Sequence, residues 1–391
     1  MPIVASFFAL GLLLGIGGGV LMSVAKGSGN ESLAHKYFST AMISAAVVSV
    51  CFAVFGAIFF DPMMYALGAD TTNIELVRGY GLCYTVSAPL FIFSSSLQSF
   101  IRNDKSPRHA MIAVLTGSGL NILLDYLFIF VFKMGMFGAS FATSIGTSIT
   151  VCILIIHFFT KKNTMRFSFR FFSIKALWEI AKCGFSSFLI ECANAVLVFV
   201  FNHTLLKYIG SVGVTVYSIM SNVAVVCMSL FNGVTLAAQP IIATNHGADN
   251  HKRVLQVRHI GTITSSVIAV IIFCVGFFFP DLLIYSYVKG PTPEILELAR
   301  YALRIYFFAY LFMNFNIFFS GYFQSTLRPV AAITIQILRS LLLSSVLVSV
   351  LPMIFGADAI WYAVPITECI TFFVAMAFLF FGRFQKTKEA K

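Results

Sequence analysis

The sequence predicts an all-α polytopic membrane protein built from two helical lobes that repeat one another in parallel. Three observations predict it. The chain is 59% hydrophobic and only 10% charged, whereas globular domains average roughly 45–50% apolar and 25% charged. Apolar stretches of about 18 residues or more, each long enough to span a bilayer, recur from end to end. Short motifs also recur in one register about 220 residues apart. A β-barrel would show short alternating segments instead.

The first apolar run, 3–24, carries Gly15, Gly17, Gly18 and Gly19, small residues that let membrane helices approach closely. No positive segment precedes it and no small-residue cleavage site follows, so it reads as a span rather than a signal peptide. Runs at 38–60, 77–101, 109–132 and 136–159 complete a first lobe, 1–160. A basic linker, 161–176, holds Lys161, Lys162, Arg166, Arg170 and Lys175. Six further runs, at 177–207, 212–243, 257–280, 297–324, 330–353 and 358–382, make a second lobe, 177–382. A tail, 383–391, ends the chain with Arg383, Lys386, Lys388 and Lys391. The total is about eleven spans. Pro89, Pro240 and Pro365 fall inside spans or at their ends; each frees a carbonyl and permits a bend.

The formal charge of +11 does not imply nucleic acid, because the basic residues sit in short loops on alternate sides. That pattern places the basic loops and the C-terminus in the cytoplasm. The eight cysteines are scattered and show no metal or redox spacing. No phosphate-binding Gly-x-x-x-x-Gly-Lys-Ser/Thr occurs, and no nucleophile–base constellation suggests an enzyme. His157, His203 and His246 read as isolated near span ends.

The repeat matches Glu75–Arg78 with Glu297–Arg300, Pro107 with Pro329, Gly27–Asn30 with Gly247–Asn250 and Phe137–Ala139 with Phe355–Ala357. Both halves keep the same orientation, as in transporters built from parallel repeats. In this register the span at 177–207 has no partner in the first half. About eleven spans are therefore what a six-plus-six design without its first helix gives, and the expectation is a truncated or mis-started chain.

Asn121 and Asp125 lie four residues apart in an apolar run, on one helix face. A carboxylate inside a span is costly and marks a functional site by default. Asn121 supplies an amide oxygen or hydrogen bond one turn away, and Thr143 on the next span offers a hydroxyl. These three form the expected cation-coupling site. Glu191 lies in an otherwise apolar span and is a candidate for a second cation or substrate site; pairing with Lys182, Arg304 or Arg339 is the structural alternative. Arg339 occupies nearly the repeat position of Asn121, and with Glu368 it is expected to form a structural ion pair.

Asn121–Phe130, followed by Gly135–Gly146, resembles the fifth and sixth helices of the multidrug and toxic compound extrusion (MATE) transporters, with Tyr126 in place of a common proline. Gln239–Ile242 with Asn245–Ala248 resembles the eighth helix of the MepA-like subgroup. The resemblance covers nearly the whole chain. It implies a two-lobed bundle that exports organic, often cationic, drugs in exchange for H⁺ or Na⁺. It also implies an N-lobe cation site at Asn121, Asp125 and Thr143, completed in the family by an Asp on a first helix. Some members have a C-lobe site whose Glu matches Glu191, with an Asp on helix ten; here Leu311–Asn316 holds no carboxylate.

The expected function is therefore secondary-active multidrug efflux from the cell membrane, by a monomer with lipids and drug-like small molecules as partners. No cofactor is expected beyond the transported H⁺ or Na⁺. The alternatives are a lipid-linked sugar flippase of the same superfamily and a non-transporting remnant.

Overall fold

The computed structural model describes residues 2–66, 70, 72 and 74–389. The side chains of Arg383, Lys386 and Lys388 and the whole of Lys391, read above as a basic tail, lie outside the described residues. The described residues contain no strand. Their helices are α1 (Pro2–Gly27), α2 (Glu31–Ile58), α3 (Phe60–Ala66), α4 (Ile74–Val86), α5 (Ala88–Asn103), α6 (Pro107–Asp125), α7 (Gly135–Ile156), α8 (Ile174–Tyr208), α9 (Ser211–Gly247), α10 (His251–Phe278), α11 (Pro280–Tyr287), α12 (Pro293–Ser325), α13 (Pro329–Gln336), α14 (Leu343–Phe355) and α15 (Ala363–Glu389).

Among the described residues, ten helices are long and apolar enough to cross a membrane. The remaining expected span, 77–101, is divided into α4 and α5, which meet at Ser87. At 13 and 16 residues, neither piece reaches the ~20 residues a span needs. Pro89 accounts for the break: it has no N–H to continue the helix, and it sits in the first turn of α5, where no intrahelical donor is required. Pro240, by contrast, lies within the unbroken α9.

The chain divides into two compact units, residues 1–191 with 247–249 and residues 192–246 with 250–391. In the first, α1 packs along α5 and α2, and α7 packs against α6 and α4. In the second, α12 packs against α10 and α15, and Phe307, Tyr310 and Trp361 are buried in its core.

The repeat motifs prove to be capping and turning devices. Asn30 caps α2 by accepting from the Leu33 N–H at 3.0 Å, and Asn250 caps α10 by accepting from the Arg253 N–H at 3.2 Å. Each cap follows a left-handed residue, Gly29 (φ 77°) or Asp249 (φ 53°). Lys105 (φ 58°) and Leu327 (φ 55°) make the matching turns before Pro107 and Pro329. Both halves then carry a π-helical turn, Tyr126–Val131 after α6 and Ile337–Leu342 after α13. The short helices α3 and α11 are also matched. Arg78 pairs with Asp61 through both carboxylate oxygens, and Arg300 pairs with Asp281 at 2.5 and 2.7 Å.

Among the described residues, one cluster in the first unit has no counterpart in the second. Asp104, at the end of α5, has a side chain only 1% exposed. It accepts from Lys26 Nζ at the end of α1, from His157 Nε2 after α7 at 2.9 Å, and from the Thr164 N–H at 3.0 Å and its hydroxyl. His157 is therefore not isolated, as its position in the sequence suggested. Burial alone would raise the Asp104 carboxyl; hydrogen bonds from Lys26, Thr164 and His157 outweigh it and hold the group below its ordinary value. In the second unit Thr326 stands in the matching place beside Leu327.

The α6–α7 contact depends on small residues. A Cβ on Gly117 would lie 1.9 Å from Thr150 Oγ1 and 2.6 Å from the Gly146 carbonyl oxygen. Gly117→Ala should therefore force the two helices apart and destabilise the protein by about 1–3 kcal/mol, read as a lower Tm in detergent. Adding Thr150→Ala should recover only part of the loss, because the backbone carbonyl still blocks the methyl group.

Candidate functional site

Close approach of α6 and α7 brings two of the expected site residues together. A Cβ on Gly146 would sit 3.0 Å from Asn121 Cβ, so the glycine admits Asn121 to the face of α7. There Asn121 Nδ2 donates to Thr143 Oγ1 at 3.3 Å, while the Thr143 hydroxyl donates to the Ala139 carbonyl at 3.0 Å. The amide oxygen of Asn121 is left over from this contact.

Asp125 is the last residue of α6 before the π turn. Its Oδ1 is buried and has no hydrogen-bond partner. No hydrogen bond joins it to Asn121 or Thr143 among the described residues. Tyr80 of α4 is within electrostatic range of it and packs against Tyr84, the ring centres 4.9 Å apart. A carboxylate oxygen left unanswered inside a span is costly unless the group takes up a proton or a cation. Carboxylate, amide and hydroxyl oxygens are ligands suited to a hard cation. The described residues contain no group of three His, Cys, Asp or Glu able to hold a metal ion.

Glu191 lies midway along α8, partly buried, and makes no ion pair among the described residues. Lys182, one of its proposed partners, instead sits 5.1 Å from the centre of the Trp178 ring. Arg304 donates to the Phe277 carbonyl at 3.3 Å.

Arg339 and Glu368 meet in the second unit. Arg339 Nε donates to Glu368 Oε1 at 2.6 Å, with side chains 5% and 3% exposed. The other carboxylate oxygen accepts from Asn316 Nδ2 at 2.7 Å, and the same amide nitrogen reaches the Glu368 carbonyl at 2.9 Å. Asn316 escaped the sequence reading, which noted only that its stretch holds no carboxylate. An amide amid apolar residues of a span was the available signal.

Beside α4 and α7 lies an open cleft of about 750 Å³, lined by Leu82, Cys83, Phe137, Phe141 and Ser144 among others. Arg78 and Glu75 also line it.

The sequence profile of the MatE family matches residues 1–127 and 183–350. The multidrug export protein MepA of Staphylococcus haemolyticus is 26% identical over 378 residues, covering 96% of this chain and 82% of that protein. MepA of Staphylococcus saprophyticus is 27% identical over 392 residues, covering 100% and 86%. Among solved structures, the outward-facing conformation of a multidrug resistance MATE family transporter of the MOP superfamily superposes with a TM-score of 0.91 at 20% identity, covering 99% of this chain and 86% of that one. A MOP superfamily transporter from Pyrococcus furiosus, described as having a binding pocket of reverse polarity, gives a TM-score of 0.90 at 20% identity, covering 100% and 87%. The helical fold is thus that of the MATE structures.

The Arg339–Glu368 contact yields a direct test. Glu368→Leu alone strands a buried guanidinium and should cost about 3–5 kcal/mol. The double variant Arg339→Met with Glu368→Leu should be more stable than Glu368→Leu, by thermal unfolding in detergent. A double variant less stable than either single would show that the pair does not act as a unit.

Proposed function

The chain belongs to the MatE family, and from that premise we propose that it is a secondary-active multidrug efflux antiporter. It exports amphipathic, cationic organic compounds across the cell membrane in exchange for inward-moving H⁺ or Na⁺. Relatives of about one-quarter identity, named as multidrug export proteins, support this reading along the full length of the chain. The observation that carries the mechanism is the buried, unpartnered Oδ1 of Asp125.

On this reading Asp125 takes up the coupling ion. The Asn121 amide oxygen and the Thr143 hydroxyl turn toward a bound Na⁺, or hold the protonated carboxyl by hydrogen bonds. Occupancy does work only if the ion binds one access state more tightly than the other. The π turn directly after Asp125 gives the helix a locally irregular backbone at that point, a feature frequent at functional sites. Substrates are held by area and by cation–π contact with aromatic and Met side chains, which tolerate varied shapes. The protein works as a monomer, and the loop charges support a cytoplasmic C-terminus. The lobes 1–160 and 177–382 are its two moving halves. In the second lobe the nearly matching repeat position is filled by Arg339, which is paired with Glu368 rather than left open to a cation.

The test is transport in reconstituted vesicles. A fluorescent organic cation should move against an imposed Na⁺ gradient or an imposed pH gradient in the wild type, and the active gradient identifies the ion. Asp125→Asn should reduce exchange to the leak of empty vesicles while eluting as folded protein. Exchange by Asp125→Asn at the wild-type rate rejects the site; absence of any gradient-driven movement by the wild type rejects the function.

A further inference from the structure

The connector between α7 and α8 has features that transport does not use. Its backbone is pinned to the first unit. Thr164 is held by Asp104 through its N–H and hydroxyl. Met165 is buried. Ser39 donates to the Arg166 carbonyl at 3.4 Å and accepts from the Ser168 N–H at 3.1 Å, and Thr40 donates to the Phe171 carbonyl at 3.3 Å. Just beyond, Tyr37 donates to Glu179 at 2.6 Å.

Most of its large side chains are not covered. Phe167, Phe169 and Phe172 are 50%, 76% and 43% exposed, and Ile174 and Trp178 in the first turns of α8 are 76% and 63% exposed. Arg166, Arg170 and Lys175 are interleaved with them, also exposed, and make no ion pair among the described residues. A free loop would turn such rings inward, since burial of each apolar side chain is favourable. The pinned backbone prevents that, so the rings and cations face outward together.

The place of the segment identifies what they face. Ile174 opens a 35-residue helix long and apolar enough to cross a membrane. Phe172, two residues earlier, stands within ~7 Å of that helix along the chain. Trp favours the headgroup level of a bilayer, Phe packs at the boundary between headgroups and acyl chains, and Lys and Arg close to the surface are attracted to an anionic leaflet.

We propose that residues 161–178 form an interfacial strap that binds anionic phospholipid headgroups of the cytoplasmic leaflet. The rings sit at the headgroup–acyl boundary, and Arg166, Arg170 and Lys175 pair with lipid phosphates. The Asp104 cluster and Ser39 hold the strap in the presenting position. Nothing in this depends on which compound is exported.

The protein contains its own probe. It has two tryptophans, of which Trp361 is 1% exposed and Trp178 is 63% exposed. Trp361→Phe protein, leaving Trp178 as the sole emitter, is placed in nanodiscs containing either acyl-brominated phosphatidylglycerol or acyl-brominated phosphatidylcholine at equal mole fraction. Brominated phosphatidylglycerol should quench Trp178 about twofold more than the choline lipid, as local enrichment of anionic lipid requires. Arg166→Gln, Arg170→Gln and Lys175→Gln together should abolish the difference. If Trp361→Phe does not fold, subtracting Trp178→Phe from wild-type emission gives the same signal. Equal quenching by both lipids overturns the anionic preference. Absence of quenching by either places the strap away from the bilayer, against a protein partner, and also overturns the proposal.

Discussion

A bilayer core offers no hydrogen-bond partners, so polar groups within the spans must be answered inside the protein. Along α7 this is done locally: Thr143, Thr147 and Thr150 each donate to the carbonyl four residues earlier, as do Ser144 and Ser148. In the second unit Arg339, Glu368 and Asn316 answer one another across three helices. Among the described residues, Asp125 Oδ1 is the only carboxylate oxygen among the buried atoms left without a partner. Its cost is not offset by any contact within the fold, which is why the proposed function places the coupling ion there.

The two halves share a scaffold and differ in the chemistry set upon it. Both use an Asn cap after a left-handed turn, a Pro-opened helix running into a π turn, and an Asp–Arg clasp on a short helix. On that common frame the first half has Asn121 and Asp125 before its π turn, whereas the second has Arg339 within its own. A carboxylate with no partner and a guanidinium with a full one are different states of nearly the same repeat position. The Asp104 cluster is a second asymmetry, and it occurs in the half whose chain continues into a connector that must be held.

Much of this architecture was legible in the sequence, because bilayer thickness imposes run length and the repeat imposes register. The break at Ser87 was foreshadowed by Pro89, although the run looked continuous by hydropathy. The Asn121–Thr143 contact followed from adjacent spans, but its closeness depends on Gly117 and Gly146, whose roles emerge only when α6 and α7 are packed. The Asp–Arg clasps were hidden because Asp61 precedes its proline and Asp281 follows its own, so the motif does not align letter for letter. In the sequence Asp104 is one acid among loop bases, between Arg102 and Lys105. Its partners Lys26, His157 and Thr164 are 53 to 78 residues distant in sequence, and no periodicity links them. The Glu368–Asn316 bond was hidden for the same reason.

The central claim, that Asp125 exchanges its ion for an organic cation, is tested most directly by binding in the absence of any gradient. Purified protein in weakly buffered detergent is titrated with a lipophilic organic cation while released protons and displaced ²²Na⁺ are counted. Linkage requires competing ligands to displace one another reciprocally. The account predicts loss of about one proton or about one Na⁺ per wild-type protein at saturation, with neither lost from Asp125→Asn. Equal release from the wild type and Asp125→Asn would contradict it.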